Sequence, residues 1–261
     1  MNCSIIFNTC DAYSDLWDGF FYLFKKYWPE YNGEIIFNSE QKKYFDPDLD
    51  IVNVENNGDL SWSERLANAI KQAKSDYILL MMDDFYLKDH VLNNEFETTV
   101  DFMMKNKNIK SITYMNEPGI KCENPIDGLN GFFVRNHFAN YKMTAHISLY
   151  EKKYLLNILR KGESAWDFEI NGTFRSWLKR GAFLCPKKNG DFIFKYDYGA
   201  LVVRDMFYSP VKEYFEQKEN IVFSASRQIT DKMFDKKGGI NFGRFKYPIR
   251  AFLSLFKKKC R

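Results

Sequence analysis

Residues 61–85 read SWSERLANAIKQAKSDYILLMMDDF. Ser61 and Glu64 stand three apart, as in a capping box, in which the serine caps a helix N-terminus and the glutamate reaches back to it. Trp62, Leu66, Ala69, Ile70 and Ala73 then recur at i, i+4, i+7, i+8 and i+11, one helical face long enough to pack on a sheet. Ser75-Asp76 breaks the pattern. The run YILLMM at 77–82 follows without a polar residue, as expected of a central parallel strand covered on both faces. It ends in Asp83-Asp84. Ligands of open α/β sheets bind beyond the carboxyl ends of the strands. Adjacent carboxylates there repel each other unless a cation neutralises them, so a hard divalent metal is a natural occupant. The plainer alternative is a strand ending in a solvated turn, with the pair capping the next segment.

Working outward, residues 4–8 (SIIFN), 34–37 (EIIF) and 51–54 (IVNV) predict strands, and 15–27 predicts a helix that stops before Pro29. Beyond the Asp pair the pattern predicts a helix over 93–105 and a strand at 111–115. A long loop rich in Gly, Pro and Asn is expected over 117–140, then a strand at 146–150 and helices at 152–160 and 166–180. Ile170, Phe174, Trp177 and Leu178 would form the buried face of the last helix. Late strands are expected at 191–196 and 200–203. Strand–helix alternation followed by mixed elements predicts an α/β fold. No boundary appears before about residue 225, which divides the chain into a domain at 1–225 and an extension at 226–261.

Composition narrows the function. The 261 residues are 45% hydrophobic and 18% aromatic, enough to fill a core and exclude global disorder. No apolar run approaches the roughly 20 residues of a membrane-spanning helix, and the N-terminus does not read as a secretory signal. The net charge is +4, and seven basic residues without an acidic one lie in 242–261, leaving −3 on the rest. A slightly acidic body argues against nucleic-acid binding. Five scattered cysteines without CxxC predict ordinary thiols in a reducing cytoplasm. His90, His137 and His146 are too dispersed for a metal site. GxxxxGK[ST], GxGxxG and GxSxG are absent. Residues 8–14 hold no glycine, which disfavours a sugar nucleotidyltransferase.

The 61–85 stretch resembles the core of GT-A-fold glycosyltransferases, in which a helix leads into a strand ending in a DxD-type metal motif. TCDAYSDLWDGFFYLFKKYWPEY at 9–31 resembles the start of bacterial surface-polysaccharide enzymes related to the family 2 type. SAWDFE at 164–169 and YGALVVR at 198–204 are similar to later landmarks of that group. The likeness runs over about residues 3–220. It implies a GT-A-like (Rossmann-like) α/β fold, a mixed, mostly parallel sheet flanked by helices. Asp84 fits the terminal aspartate of the motif, and Met82 stands where its first aspartate would be. The resemblance implies that Asp84 holds Mn²⁺ or Mg²⁺ against a donor diphosphate, with Asp83 on the metal, ribose or sugar. Thr9, Cys10 and Asp11 follow the first strand, where such enzymes cradle the nucleotide; Asp11 could instead cap the helix after it. Arg65 could pair with phosphate or make a surface ion pair.

Trp166-Asp167-Phe168-Glu169 is the second cluster. An inverting transferase needs one carboxylate to deprotonate the acceptor hydroxyl. The group's pattern favours Glu169, with Asp167 next, and Trp166 could stack on a sugar face. The alternative is two first-turn carboxylates favoured by the helix dipole and a core tryptophan. His146 could face the acceptor or be a satisfied core histidine. In the tail, Ile249, Phe252, Leu253 and Phe256 share a face after Pro248, with Arg250 and Lys257–Lys259 around or beyond it, the composition of a helix lying on an anionic membrane. The stripe could instead pack on the protein's own body. The expectation is therefore a glycosyltransferase of hexosyl or N-acetylhexosaminyl type, inverting and metal-dependent. It would move a sugar from a nucleotide-sugar, UDP-sugar favoured, to a glycan or lipid-linked acceptor of bacterial surface polysaccharide or lipopolysaccharide synthesis. It would sit at the inner face of the cell membrane, held by 242–261, with no nucleic-acid partner. The rival expectation is a non-catalytic binding or scaffolding subunit of the same fold.

Overall fold

A computed structural model describes residues 2–115, 122–186, 193–196, 200–232 and 246–260. Strands β1 (Ser4–Asn8), β2 (Ile35–Asn38), β3 (Ile51–Asn53) and β4 (Tyr77–Met82) alternate with helices α1 (Trp17–Tyr27) and α2 (Trp62–Gln72). After β4 come α3 (Asn93–Lys105), β5 (Ile109–Thr113), β6 (Cys122–Pro125), β7 (Phe132–Arg135), β8 (Ser148–Glu151), α4 (Lys152–Ile158), α5 (Ala165–Asp167), α6 (Thr173–Trp177) and β9 (Ala182–Pro186). These nine strands form one sheet in the order β3-β2-β1-β4-β8-β5-β9-β7-β6. β3, β2, β1 and β4 run parallel, while β8 enters antiparallel between β4 and β5. The fold is therefore mixed α/β and mostly parallel, with helices on both faces, as expected.

Strand pleating divides the interior in two. Ile5, Phe7, Ile35, Phe37, Leu79 and Met81 point to one face, where α1 and α3 cover them with Phe20, Phe24, Phe96 and Val100. Ile6, Ile36, Ile78 and Leu80 point to the other, under Leu66 and Ile70 of α2 and Leu155 and Ile158 of α4. Successive residues of a strand face opposite sides, so an unbroken apolar run fills both layers. The first layer is heavily aromatic: Phe7 lies 4.5 Å from Phe20 and 5.4 Å from Phe37, ring centre to ring centre. The capping box forms, with the Glu64 carboxylate accepting from Ser61 N (3.3 Å) and Oγ (2.7 Å).

Four expectations are corrected. The expected 117–140 loop contains β6 and β7 within its described part, a short edge hairpin whose register shifts between Cys122 and Pro125. Residues 193–196 form no strand; 191–192 lie outside the described residues. The expected helix at 166–180 is α5, then a π turn at Phe168–Gly172, then α6. Its buried side is Phe168, Asn171, Gly172, Arg175 and Ser176, while Leu178 is 62% exposed. The inner face is taken by a bidentate ion pair, Arg175 to Glu163 at 2.9 and 2.6 Å, so the apolar stripe turns outward. Finally, Cys122 and Cys185 are paired as a disulfide rather than left as thiols; Cys3, Cys10 and Cys260 are free.

A small second sheet joins β10 (Val202–Val203), β11 (Met206–Tyr208) and β12 (Ile229–Thr230), with α7 (Ser209–Glu219) between the last two. Helix α8 (Lys246–Leu253) and a short turn at Ser254–Phe256 end the described chain. Among the described residues no helix is long and apolar enough to cross a membrane.

Candidate active site

The carboxyl ends of β1, β2 and β4 meet at one edge of the sheet, and polar side chains replace apolar ones there. Asn38 donates to Asn8 (2.7 Å), Asn56 to Asn38 (2.9 Å) and Asn68 to Asn56 (3.2 Å). Next along each strand, Thr9 and Asp83 join across β1 and β4. The Thr9 hydroxyl accepts from Trp17 Nε1 (2.8 Å) and donates to the Asp83 carboxylate. Asp83 is buried, and that burial together with the Asp84 charge holds its carboxyl well above the usual range. Burial raises Asp84 to about 6, against the opposing charge of His146. Two carboxylates forced together in a desolvated site are the electrostatic signature of a functional cluster.

His146 reaches this edge because β8 is antiparallel to β4. Leu80 pairs with Ser148, so two steps further along the register His146 stands opposite Met82. Its ring lies 5.2 Å from Phe85. The same segment receives Glu169 from the π turn: the buried Glu169 carboxylate accepts from Ala145 N (2.8 Å) and Thr144 Oγ1 (3.1 Å). Thr9, Asp83, Asp84 and His146 are thus brought to one region, and Glu169 is bonded to the two residues just before His146. π turns recur at functional sites, where the extra residue re-aims a side chain.

The other expected residues are placed differently. Asp11 does not cap the turn that follows it. Its carboxylate accepts from the backbone N–H groups of Glu40, Gln41 and Lys42 at 3.1–3.2 Å, fixing the loop after β2. Arg65 pairs with Glu40 (2.9 Å) and donates to Leu60 O (3.1 Å). Asp167 closes a capping box with Ser164, accepting from its N (3.2 Å) and Oγ (2.9 Å), and pairs with Arg250 of α8 at 3.0 Å. Trp166 is 64% exposed beside it.

Sequence patterns missed one group. Arg227, from the segment before β12, donates two hydrogen bonds to the Asp15 carboxylate (2.8 and 2.7 Å) and stacks 4.4 Å over Tyr13. Tyr13 donates to Asp205 at 2.9 Å, and the Arg227 charge reaches Asp83 and opposes the rise of its carboxyl. Arg204 and Asp205 take positive φ in the β10–β11 turn, beside an open cleft of about 480 Å³ that Arg227 lines. No motif marks Arg227 in the sequence; only the fold brings it to the carboxylates.

Among the described residues no three His, Cys, Asp or Glu side chains group as ligands for one cation. The residues that could hold a divalent ion are the two adjacent carboxylates, with the remaining oxygens coming from a ligand.

No family model matches the chain, and no curated protein matches it. Solved structures do match, among them S. aureus TarS and a mannosyltransferase. S. aureus TarS in complex with UDP-GlcNAc is 14% identical at a TM-score of 0.44, covering 74% of this chain and 60% of that one. Another structure of S. aureus TarS is 13% identical at 0.49, covering 75% and 36%. The mannosyltransferase PcManGT from Pyrobaculum calidifontis, in complex with GDP-Man and Mn²⁺, is 9% identical at 0.46, covering 71% and 54%. This chain spans less than two thirds of each, and at these scores the likeness assigns no activity to it.

Proposed function

We propose that the chain is a GT-A-like glycosyltransferase that moves a sugar from a nucleotide-sugar to a hydroxyl of a glycan or lipid-linked acceptor. The observation that carries the reading is the Asp83–Asp84 pair at the carboxyl end of β4, Asp83 buried and bonded through Thr9 to β1, Asp84 half-buried beside it. Asp84 would hold Mn²⁺ or Mg²⁺, which when bound neutralises the diphosphate leaving group. Asp83, oriented by the Thr9 hydroxyl, would contact the same ion or the donor ribose. Arg227 adds positive charge on the diphosphate side. The Asp11-capped loop and the Arg65–Glu40 pair shape the nucleotide end of the site rather than contact phosphate.

Glu169 is our choice of base: its carboxylate is held against the segment that leads into His146, whereas Asp167 caps α5 and faces Arg250 of α8. Glu169 takes the proton of the acceptor hydroxyl as that oxygen bonds to the anomeric carbon. The bond from that carbon to the diphosphate oxygen breaks with inversion, and the electron pair leaves on the diphosphate. His146 and Trp166 border the acceptor side. We favour a UDP-sugar of hexosyl or N-acetylhexosaminyl type and an acceptor from bacterial surface polysaccharide or lipopolysaccharide synthesis. A non-catalytic subunit of the same fold is the second reading, favoured by the lack of a third ligating side chain among the described residues.

The test is thermal unfolding with UDP, GDP, CMP and dTDP, each with and without Mn²⁺. Ligand at 100 times its Kd stabilises by about 2.7 kcal/mol. A metal-dependent rise with one nucleotide, followed by sugar transfer from the matching donor, is expected. No shift with any of the four rejects the donor site and leaves the non-catalytic reading.

A further inference from the structure

The tail does not hang free. Ser254 is fully buried and accepts from Arg175 Nη1 (2.9 Å), Lys161 N donates to Lys258 O (2.9 Å), and Cys260 is buried in the α2–α4 layer. Small residues, Ala251 and Ser254, make this contact. The large ones point away: Phe252 is 52% exposed, Leu253 58% and Phe256 75%, with Lys257, Lys258 and Lys259 exposed beside them. The stripe read from the sequence is therefore presented outward by a docked segment.

The adjoining body surface has the same character. α8 packs against the π turn and α6. α6 has given its inner face to the Arg175–Glu163 pair, so Leu178 is exposed, and Phe138, 68% exposed, lies 5.9 Å from Trp177. Next to them is an open cavity of about 520 Å³ whose lining holds Arg135, His137, Lys142, Lys179 and Arg180 and, among the described residues, no carboxylate. Lys142 is almost wholly buried, and burial and the Arg135 charge hold its ammonium down at about 8. Burial first, then the charges of Lys259 and Arg160, depress Lys179, so a lysine of the tail stands within charge range of the cavity wall.

The geometry points to a docking face for an anionic lipid bilayer, built from Phe252, Leu253 and Phe256 on the tail and Phe138 and Leu178 on the body, with phosphate headgroups over the lysines and the basic cavity. Exposed aromatic and aliphatic side chains ringed by cations suit the boundary between acyl chains and anionic headgroups. The chemistry selects this occupant: a protein partner would have to cover both the apolar stripe and the unbalanced positive charge. The inference stands apart from sugar transfer, since vesicle binding needs neither donor nor metal.

The experiment is sedimentation of the full chain with vesicles of phosphatidylcholine alone or with phosphatidylglycerol added, at low and high salt. Binding to the anionic vesicles alone, weakened by salt, is expected. Each basic residue near such a surface contributes about fivefold, so K257Q/K258Q/K259Q should weaken binding by about 100-fold. F252S/F256S on the tail and F138S/L178S on the body should each weaken it at least about tenfold. Retained nucleotide-dependent thermal shifts show that the variants fold, and circular dichroism melts serve if no nucleotide binds. Equal binding to both vesicle types, or none, overturns the proposal. So does full binding by F138S/L178S, which confines the contact to the tail. Concentration-dependent self-association lost in F252S/F256S would give the face to a second copy instead.

Discussion

Asp84 titrates where its function would be felt. Its folded carboxyl is raised to about 6 by burial, whereas an unfolded aspartate titrates near about 4. Between those values the folded chain binds a proton that the unfolded chain releases, so the cation-free fold gains stability as pH falls through this window. A cation needs the ionised form. The Mn²⁺-dependent thermal shift should therefore be full above about pH 7 and largely gone by about pH 5; an undiminished shift at pH 5 removes Asp84 from the metal. Asp84→Asn should abolish that shift while leaving the cation-free protein as stable, or up to about 3 kcal/mol more stable, at neutral pH. The two candidate bases separate in the same way. Glu169→Gln should lower turnover by about 10²–10⁴ with donor binding retained. Asp167→Asn should cost about 0.5–2 kcal/mol of stability through its cap and leave turnover near normal; initial rates and urea melts on both variants decide. Thr9, Asp83 and Asp84 were legible because each follows an apolar strand run. Arg227 and Tyr13 were not, since they reach the carboxylates from 144 and 70 residues away in sequence and no local pattern encodes that meeting.

The elements differ in how openly the sequence states them. α2 and β4 are plain because cap, stripe and apolar run all agree with a helix laid on a central strand. The 165–177 segment misleads because periodicity marks the apolar face without saying which way it turns. Glu163 and Arg175 stand 12 apart and share a side with no exposure to solvent, and satisfying that pair outranks burying Leu178. Breaking a buried pair strands a charge, so Arg175→Ala should cost about 3–5 kcal/mol. Replacing both partners with Leu and Met should cost much less, because no unpaired charge remains. Urea midpoints for the single and double variants test this; equal losses would mean that shape, not charge, holds the π turn in place. β6 and β7 escape notice for the opposite reason, being short edge strands with a shifted register and little alternation to read.

For the whole molecule, strand pleating explains how one apolar alphabet fills two layers, and it leaves the polar carboxyl edge as the place for chemistry. The end of the chain is integral to this arrangement. Residues 227–230 pin to Asp15 and pair with β11, and residues 250–260 close over Glu163 and Arg175. Truncation before residue 246 would remove the Ser254 and Lys258 hydrogen bonds and open the buried ion pair to water. It should cost about 2–4 kcal/mol, from two hydrogen bonds near 1 kcal/mol each, one of them to a charge, plus lost burial of Ala251 and Cys260. At this size that lowers the unfolding midpoint by roughly 5–15 °C. The outward substitutions F252S and F256S touch none of these contacts and should stay within about 0.5 kcal/mol of the parent. Calorimetry on the truncated chain and the F252S/F256S variant separates the two roles of the tail. If both melt with the parent, the segment is an appendage after all, and its inward contacts do not hold the fold.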